Sequence, residues 1–88
     1  MIYQVCAILD KKTGAYGMPQ FFRSRGEALR AFMDACAEDK SMLKRHAEDF
    51  VFCWLGEYSD GSGSFVCPVS PEVTMSALDA ITVEGTWQ

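Results

Sequence analysis

The sequence has no lysine or arginine after Arg45, a single histidine at position 46, and no two cysteines spaced as C-x-x-C. One histidine cannot form a multi-histidine metal site, and widely separated cysteines are poor zinc ligands. Phosphate-binding loops of the G-x-x-x-x-G-K and G-x-G-x-x-G types are absent, as is a G-x-S-x-G nucleophile motif. These absences predict a protein that binds rather than catalyses, with no metal and no cofactor.

The four cysteines stand among apolar neighbours, as in Val5-Cys6-Ala7 and Phe52-Cys53-Trp54. Such surroundings predict buried, reduced thiols with structural roles, as expected in a reducing compartment. No segment approaches the ~18 consecutive apolar residues of a membrane helix. The first residues also lack the charged head and apolar run of a secretory signal. We therefore expect a cytoplasmic protein without membrane contact.

The length predicts one domain over residues 1–88. A domain this small buries only about 60% of the surface of its unfolded chain. Nearly half of its residues (49%) are nevertheless hydrophobic. This surplus predicts self-association, most simply as a two-fold homodimer.

Charge is unevenly distributed along the chain. Residues 1–45 contain eight lysines and arginines and five acids, for a formal charge of +3, whereas residues 46–88 carry −7 and the whole chain −4. A polarised molecule can present a basic face to phosphates or pair with itself head to tail. A chance distribution over a solvated surface is the alternative.

Two segments rich in β-branched and aromatic residues, 2–9 and 50–58, predict strands. The second is apolar on both faces, which is typical of a central strand or an interface. Residues 16–23 predict an irregular edge strand because Gly17 and Pro19 interrupt it. A glycine-rich turn at residues 60–63 predicts a hairpin partner over 64–69.

The clearest helix signal is Ser24, which with Glu27 forms a capping box and predicts a helix over residues 25–38. Residues 41–49 predict a short helical or irregular connector. The run Ser70-Pro71-Glu72 predicts the start of a second helix, with Pro71 at its first helical position. A loosely held tail is expected at residues 81–88 unless Trp87 docks. The apolar sides of the two helices are Ala28, Leu29, Phe32, Ala35 and Cys36 in the first, and Val73, Ala77, Leu78 and Ile81 in the second.

This order of elements predicts an α+β fold. An antiparallel sheet of three to four strands would carry the main helix on one face, with a second short C-terminal helix. The other sheet face would be exposed, and an exposed apolar face favours a partner.

Aromatic and basic residues adjoin in Phe21-Phe22-Arg23-x-Arg25, a mixture that can stack bases and neutralise phosphates of single-stranded nucleic acid. A second basic cluster lies around residues 40–46. The alternative is that one phenylalanine fills the core and the cations are merely solvated. The candidate nucleic-acid-binding residues are Tyr16, Phe21, Arg23, Arg25, Lys44 and Arg45.

A longer pattern is more specific. The stretches Tyr16-x-x-Pro19-x-Phe21-Phe22, Gly26-Glu27-Ala28-x-Arg30-x-Phe32-x-Asp34, Ser41-Met42-x-x-x-His46-x-Glu48-Asp49-Phe50 and Leu55-Gly56-Glu57-Tyr58-x-Asp60-x-x-Gly63-x-Phe65 follow in order. Together they resemble the small nonstructural protein of gokushoviruses, which are single-stranded DNA phages of the Microviridae. The resemblance covers roughly residues 1–70. Ala47 departs from the family pattern, because family members usually carry proline there. Ser59-Asp60 and Ser62 also depart from it.

The resemblance implies a nonvirion phage protein in the cytoplasm of an infected bacterium. Such a protein would support single-stranded DNA synthesis or its coupling to packaging, and the resemblance implies no catalytic residues. Two modes of action stay open. The protein binds single-stranded DNA weakly through its basic and aromatic residues, or it is an adaptor that contacts the replication initiator or procapsid proteins without touching DNA.

Overall fold

A computed structural model describes the backbone of residues 1–87 and the side chains of residues 1–82. The strands and helices follow one another in chain order as an α+β domain. The strands are β1 (Ile2–Asp10), β2 (Ala15–Tyr16), β3 (Gln20–Phe22), β4 (Phe50–Ser59), β5 (Ser64–Val66) and β6 (Glu72–Ser76). The helices are α1 (Arg25–Ala37), α2 (Met42–Arg45) and α3 (Ala77–Trp87), with a 3₁₀ turn at Ala47–Asp49.

The sheet is antiparallel and is built around β1 and β4, which pair along their full lengths. β2 and β3 both pair with the free edge of β1, and β5 and β6 both pair with the free edge of β4. The α+β class and the antiparallel sheet are confirmed, but the expected three to four strands are wrong, because six form. The sheet is four strands wide, with each outer strand broken where prolines such as Pro19 and Pro71 cannot donate a ladder hydrogen bond.

The helices pack on one face of this sheet. Ser24 caps α1 as predicted, since its hydroxyl accepts a hydrogen bond from the backbone N–H of Glu27 at 3.0 Å. Phe32 is only 2% exposed and anchors α1, whereas Leu29 is half-buried. The buried core on this face consists of Cys6, Ala28, Phe32, Cys36, Ala47, Phe50, Phe52, Ala77 and Ala80.

The second helix begins later than the sequence predicts. Residues 72–76 form strand β6, and α3 starts at Ala77, where the Ser76 hydroxyl accepts a hydrogen bond from the backbone N–H of Asp79 at 3.0 Å. The free edge of β4 offers ladder partners to this segment, whose Val73 and Thr74 favour extended backbone. Helix α3 runs to Trp87, whose predicted docking lies outside the described side chains.

A β-bulge interrupts the pairing of the two central strands. Cys6 pairs with Trp54 while the preceding Val5 pairs with Gly56, so Leu55 is an extra residue on β4. Gly56 has φ +149°, and a Cβ there would lie 2.5 Å from the carbonyl oxygen of Val66. Only glycine fits this position without strain.

Candidate nucleic-acid interface

Within the part of the chain that the structure describes, the helices pack on the other face of the sheet, and we call the face without a helix the open face. Strand alternation and register place it opposite the core described above. Its residues are Tyr3, Val5, Ala7 and Leu9 of β1, Tyr16 of β2, Phe21 of β3, Val51, Cys53 and Tyr58 of β4, Phe65 of β5, and Val73 and Ser76 of β6. This set contains all three tyrosines of the chain and no charged residue. Its central members Val5, Ala7, Val51 and Cys53 are buried, and the exposed apolar side chains around them are Tyr16, Phe21, Phe65 and Val73.

Four aromatic rings of the open face contact one another. The Tyr58 ring lies in the middle, with its centroid 4.8 Å from that of Phe65, 5.5 Å from Phe21 and 6.5 Å from Tyr3. Phe21 belongs to β3 and Tyr58 to β4, so their contact spans the intervening β1. Gly56, which pairs with Val5 on β1, contributes no side chain in between. The rings thus form a continuous aromatic surface over the four strands β1, β3, β4 and β5.

An apolar hollow of about 330 Å³ lies beside these rings. Phe21 and Phe65 form part of its wall, and the exposed Cys67 and Met18 stand among its other lining residues. A hollow of this size and character suits an apolar group of a ligand, either a nucleobase or a side chain.

Positive charge borders only one edge of the open face. Lys11 and Lys12 occupy the turn between β1 and β2, and Arg23 directly follows β3. All three are exposed, and we call them the basic edge, although Lys12 also lines a hollow on the helical side with His46 and Glu48. The opposite edge, formed by β5 and β6, has no lysine or arginine, because none follows Arg45 in the chain.

The predicted binding residues do not form one surface. Tyr16 and Phe21 lie on the open face, 45% and 47% exposed, and Arg23 lies at its rim. Lys44 and Arg45 instead belong to α2 in the helical layer. The Lys44 ammonium donates a hydrogen bond to Asp39 at 2.9 Å, which lowers the pKa of that carboxyl.

Arg25 also lies on the helical side. Its guanidinium carbon is 3.9 Å from the centroid of the Trp54 ring, and its Nη1 is 3.4 Å from Oε2 of Glu72. The Trp54 indole N–H in turn donates to Gln4 at 2.8 Å. Arg25 therefore has a structural role, as a cation stacked on an aromatic ring and paired with an acid.

Sequence reasoning missed five residues of this interface. Tyr3, Tyr58 and Phe65 join Phe21 only through strand pairing, and Lys11 and Lys12 join Arg23 only through the position of β2 beside β1. The period-two alternation of Tyr3, Val5, Ala7 and Leu9 is the signal that could have revealed the open face.

The four cysteines differ in their exposure. Cys6, Cys36 and Cys53 are buried, whereas Cys67 is exposed, contrary to the expectation for all four. Burial raises the pKa of the Cys6 and Cys53 thiols, although the nearby Arg25 opposes the rise at Cys6. Among the residues that the structure describes, no cluster of histidine, cysteine or acidic side chains is arranged to hold a metal ion.

Comparison with known proteins gives two matches. A family model described as Phage ORF5 protein matches residues 3–80, a range that includes every residue of the open face. Protein ORF5 of Chlamydia phage 1 is 35% identical over 63 residues, which cover 67% of this chain and 66% of that protein. The chain thus spans just under two thirds of the length of this relative. No solved structure matches.

Proposed function

Because the chain belongs to the Phage ORF5 protein family, we propose that it is a nonstructural phage protein that binds single-stranded DNA weakly through its open face. The resemblance to the small nonstructural protein of gokushoviruses is confirmed by the family match and the Chlamydia phage relative. The proposed role is support of viral single-stranded DNA synthesis, or of its coupling to packaging, in the infected host cell. It acts by binding and not by catalysis.

One observation carries this proposal: four aromatic rings, linked to one another through Tyr58, lie on an uncharged sheet face beside a basic edge. Nucleobases present flat apolar faces, and stacking on an aromatic side chain contributes ~1–3 kcal/mol per base. In a duplex those faces are hidden inside the stack, so the open face favours single strands. A base that leaves the rings can enter the adjoining hollow.

The basic edge sets the path of the phosphates. With Lys11 and Lys12 at one end and Arg23 near the other, a strand whose bases stack on the rings runs its backbone along β2 and β3. The net charge of −4 opposes this attraction over distances up to the Debye length of about 10 Å. Binding is therefore weak and sensitive to salt.

The structural setting is consistent with action away from the bilayer core. None of the helices that the structure describes has the length and apolar character needed to span a membrane. We place the protein in the cytoplasm of the host, where single-stranded phage DNA is made.

A protein adaptor is the second candidate function, and the hollow beside Phe65 is the observation that favours it. An apolar side chain of a replication initiator or procapsid protein would fit there without any charge to complement it. In that case the same face would bind a protein and never DNA.

The test is a titration of a fluorescent oligothymidine with the protein at low salt, followed by anisotropy. We expect binding that weakens as salt rises, and little competition from a duplex. Replacing Phe21 or Tyr58 by Ser should weaken binding about 5- to 150-fold, the range that corresponds to one lost stack. Leu78→Ser is the matched control, because Leu78 is 52% exposed on α3 in the helical layer.

Circular dichroism of each variant shows whether it is folded before its affinity is interpreted. If the unmodified protein does not bind the oligonucleotide even at low salt, the DNA-binding proposal is wrong and the adaptor becomes the better explanation.

A further inference from the structure

We propose that the open face also pairs with a second copy of the chain, and that pairing and DNA binding exclude each other. The DNA half of this proposal rests on the proposed function, whereas the pairing half stands on the geometry of the face alone. Self-association would then regulate access to the nucleic-acid interface.

Charge argues for a second copy as the occupant. The cations and most of the acids lie in separate halves of the chain, so a two-fold contact through a charged patch sets that patch against its own sign. The open face is the exception, because the residues that strand pairing places on it include no acidic and no basic side chain. A two-fold axis through this face matches the same uncharged patch with itself and keeps the carboxylates of both copies at the periphery.

The exposed apolar groups give the driving force. Phe21, Phe65 and Val73 are 47%, 55% and 66% exposed in the single chain, and they stand on three different strands of the same face. The rings of Phe21 and Phe65 lie 6.2 Å apart, and exposed apolar side chains that cluster on one face mark interaction sites. Covering it removes apolar surface that contributes about 25 cal/mol per Å² buried.

The size of the face sets the strength of the pair. β4 has ten residues, so it is about 34 Å long, and four strand positions span about 19 Å. A face of that outline covers roughly 600 Å² per copy. Because Val5, Ala7, Val51 and Cys53 within it are already buried in the single chain, the surface that pairing can cover is smaller than the about 800 Å² per partner of a standard stable interface. A contact of that size predicts a reversible dimer in the micromolar range rather than a permanent one.

The same rings cannot serve both partners at once. Two sheets that pack face to face stand about 10 Å apart, and their own side chains fill the gap. Tyr58 and Phe21 of each copy would then contact the other copy, with no space for a base between them. DNA that binds only the single chain shifts the equilibrium away from the dimer by mass action.

The experiment measures mass by sedimentation velocity from about 1 to about 100 μM protein, with and without a saturating short oligothymidine. Without DNA, we expect a rise toward twice the chain mass of 9.8 kDa. With DNA, we expect a complex of one chain and one oligonucleotide.

Two exposed valines on edge strands provide a matched pair of variants. Val73 is 66% exposed and faces the open side, whereas Val66 is 69% exposed and pairs with Glu57, whose side chain lies on the helical side with that of Gln4. Because pairing competes with DNA, the apparent DNA affinity of the parent protein should fall at high protein concentration. Val73→Gln should weaken the dimer at least tenfold and should abolish this fall in affinity. Val66→Gln should change neither. Both changes are neutral, so the electrostatic attraction for DNA stays the same.

The outcomes separate the two proposals. A monomer at every concentration that still binds the oligonucleotide overturns pairing and leaves the proposed function intact. A dimer that takes up DNA without dissociating overturns the exclusion. A dimer that binds no DNA under any condition overturns the proposed function and the exclusion together, and supports the pairing.

Discussion

The rings of Phe32 and Phe52 lie face to face, with centroids 4.6 Å apart and planes 11° from parallel. Phe32 comes from α1 and Phe52 from the central strand β4, and both are buried. Phe22 meets Phe52 edge-on at 6.5 Å. This contact joins the helical layer to the sheet.

Phe32→Ala should destabilise the domain by about 3–5 kcal/mol, because it removes a buried ring and leaves a cavity against Phe52. That is a large part of the total stability of a small domain. Urea unfolding measures the loss, with Leu78→Ala on the exposed side of α3 as a control expected within about 0.5 kcal/mol of the parent. An unchanged midpoint for Phe32→Ala would contradict the packing described here.

Gly56→Ala should destabilise by about 2 kcal/mol or more, since its backbone conformation is strained for other residues and its Cβ would meet the backbone of Val66. Gly61→Ala is the matched control. A Cβ at Gly61 would meet nothing closer than the hydroxyl of Ser59 at 3.7 Å, and its φ is not in the strained range. Thermal unfolding of the two variants should separate clearly, and equal stabilities would mean that the bulge at Leu55 is not as described.

Cys67 should react with a thiol reagent much faster than the other cysteines in dilute native protein at about pH 8. It is exposed, whereas burial raises the pKa of Cys6 and Cys53 and so suppresses their thiolates at this pH. Mass spectrometry should show one rapid label, and four after unfolding without reductant. Two or fewer labels on the unfolded chain would indicate disulfides and would refute the prediction of reduced thiols.

The raised thiol pKa values also predict a loss of stability at alkaline pH. Below the ordinary thiol pKa both states are protonated and the contribution is fully present. As pH rises further, the unfolded chain ionises first, so the folded state loses stability until its own thiols ionise. Urea midpoints should fall above about pH 9, and they should fall less in Cys53→Ala relative to its own neutral-pH value. An equal fall in the variant would show that other groups cause it.

Arg23→Gln should reduce the salt dependence of oligonucleotide binding, with a change in slope of about 0.7 for one lost phosphate contact on a single strand. Lys11→Gln should behave in the same way, because both residues belong to the basic edge. Arg45→Gln is the control, since Arg45 lies in α2 within the helical layer. A larger effect from Arg45 than from Arg23 would move the phosphate path to the helical side.

Sequence signals were sufficient to predict the helices and strands that depend on residues close together in the chain. The cap at Ser24 and the apolar spacing of Ala28, Phe32 and Cys36 predict α1 to within one residue of its end at Ala37. β1 and β4 were likewise predicted, because β-branched and aromatic residues concentrate there. The connector over residues 41–49 contains the predicted short helical turns.

Adjacency along the chain was a poor guide to the binding surface. Phe21 and Phe22 are neighbours in sequence, but strand alternation directs Phe21 to the open face and Phe22 to the core. Arg25 follows two residues after Arg23, yet the start of α1 carries it to Trp54. The candidate site was therefore only half predictable, because the turn from strand to helix divides it between two faces.

The sequence by itself determined the two central strands, the main helix and its cap, the absence of cations after Arg45 and the family to which the chain belongs. These depend on residue type and on spacings within a few positions. Only the tertiary structure decided that residues 72–76 complete a sheet edge and that Tyr3, Phe21, Tyr58 and Phe65 meet on one face. The strand pairings that bring these rings together join residues at very different separations, from Tyr58 with Phe65 to Tyr3 with Tyr58. Their register, including the bulge at Leu55, selects which side chains share a face. No local pattern encodes that selection, because a shift of one residue in register would turn the same aromatic rings toward the helices.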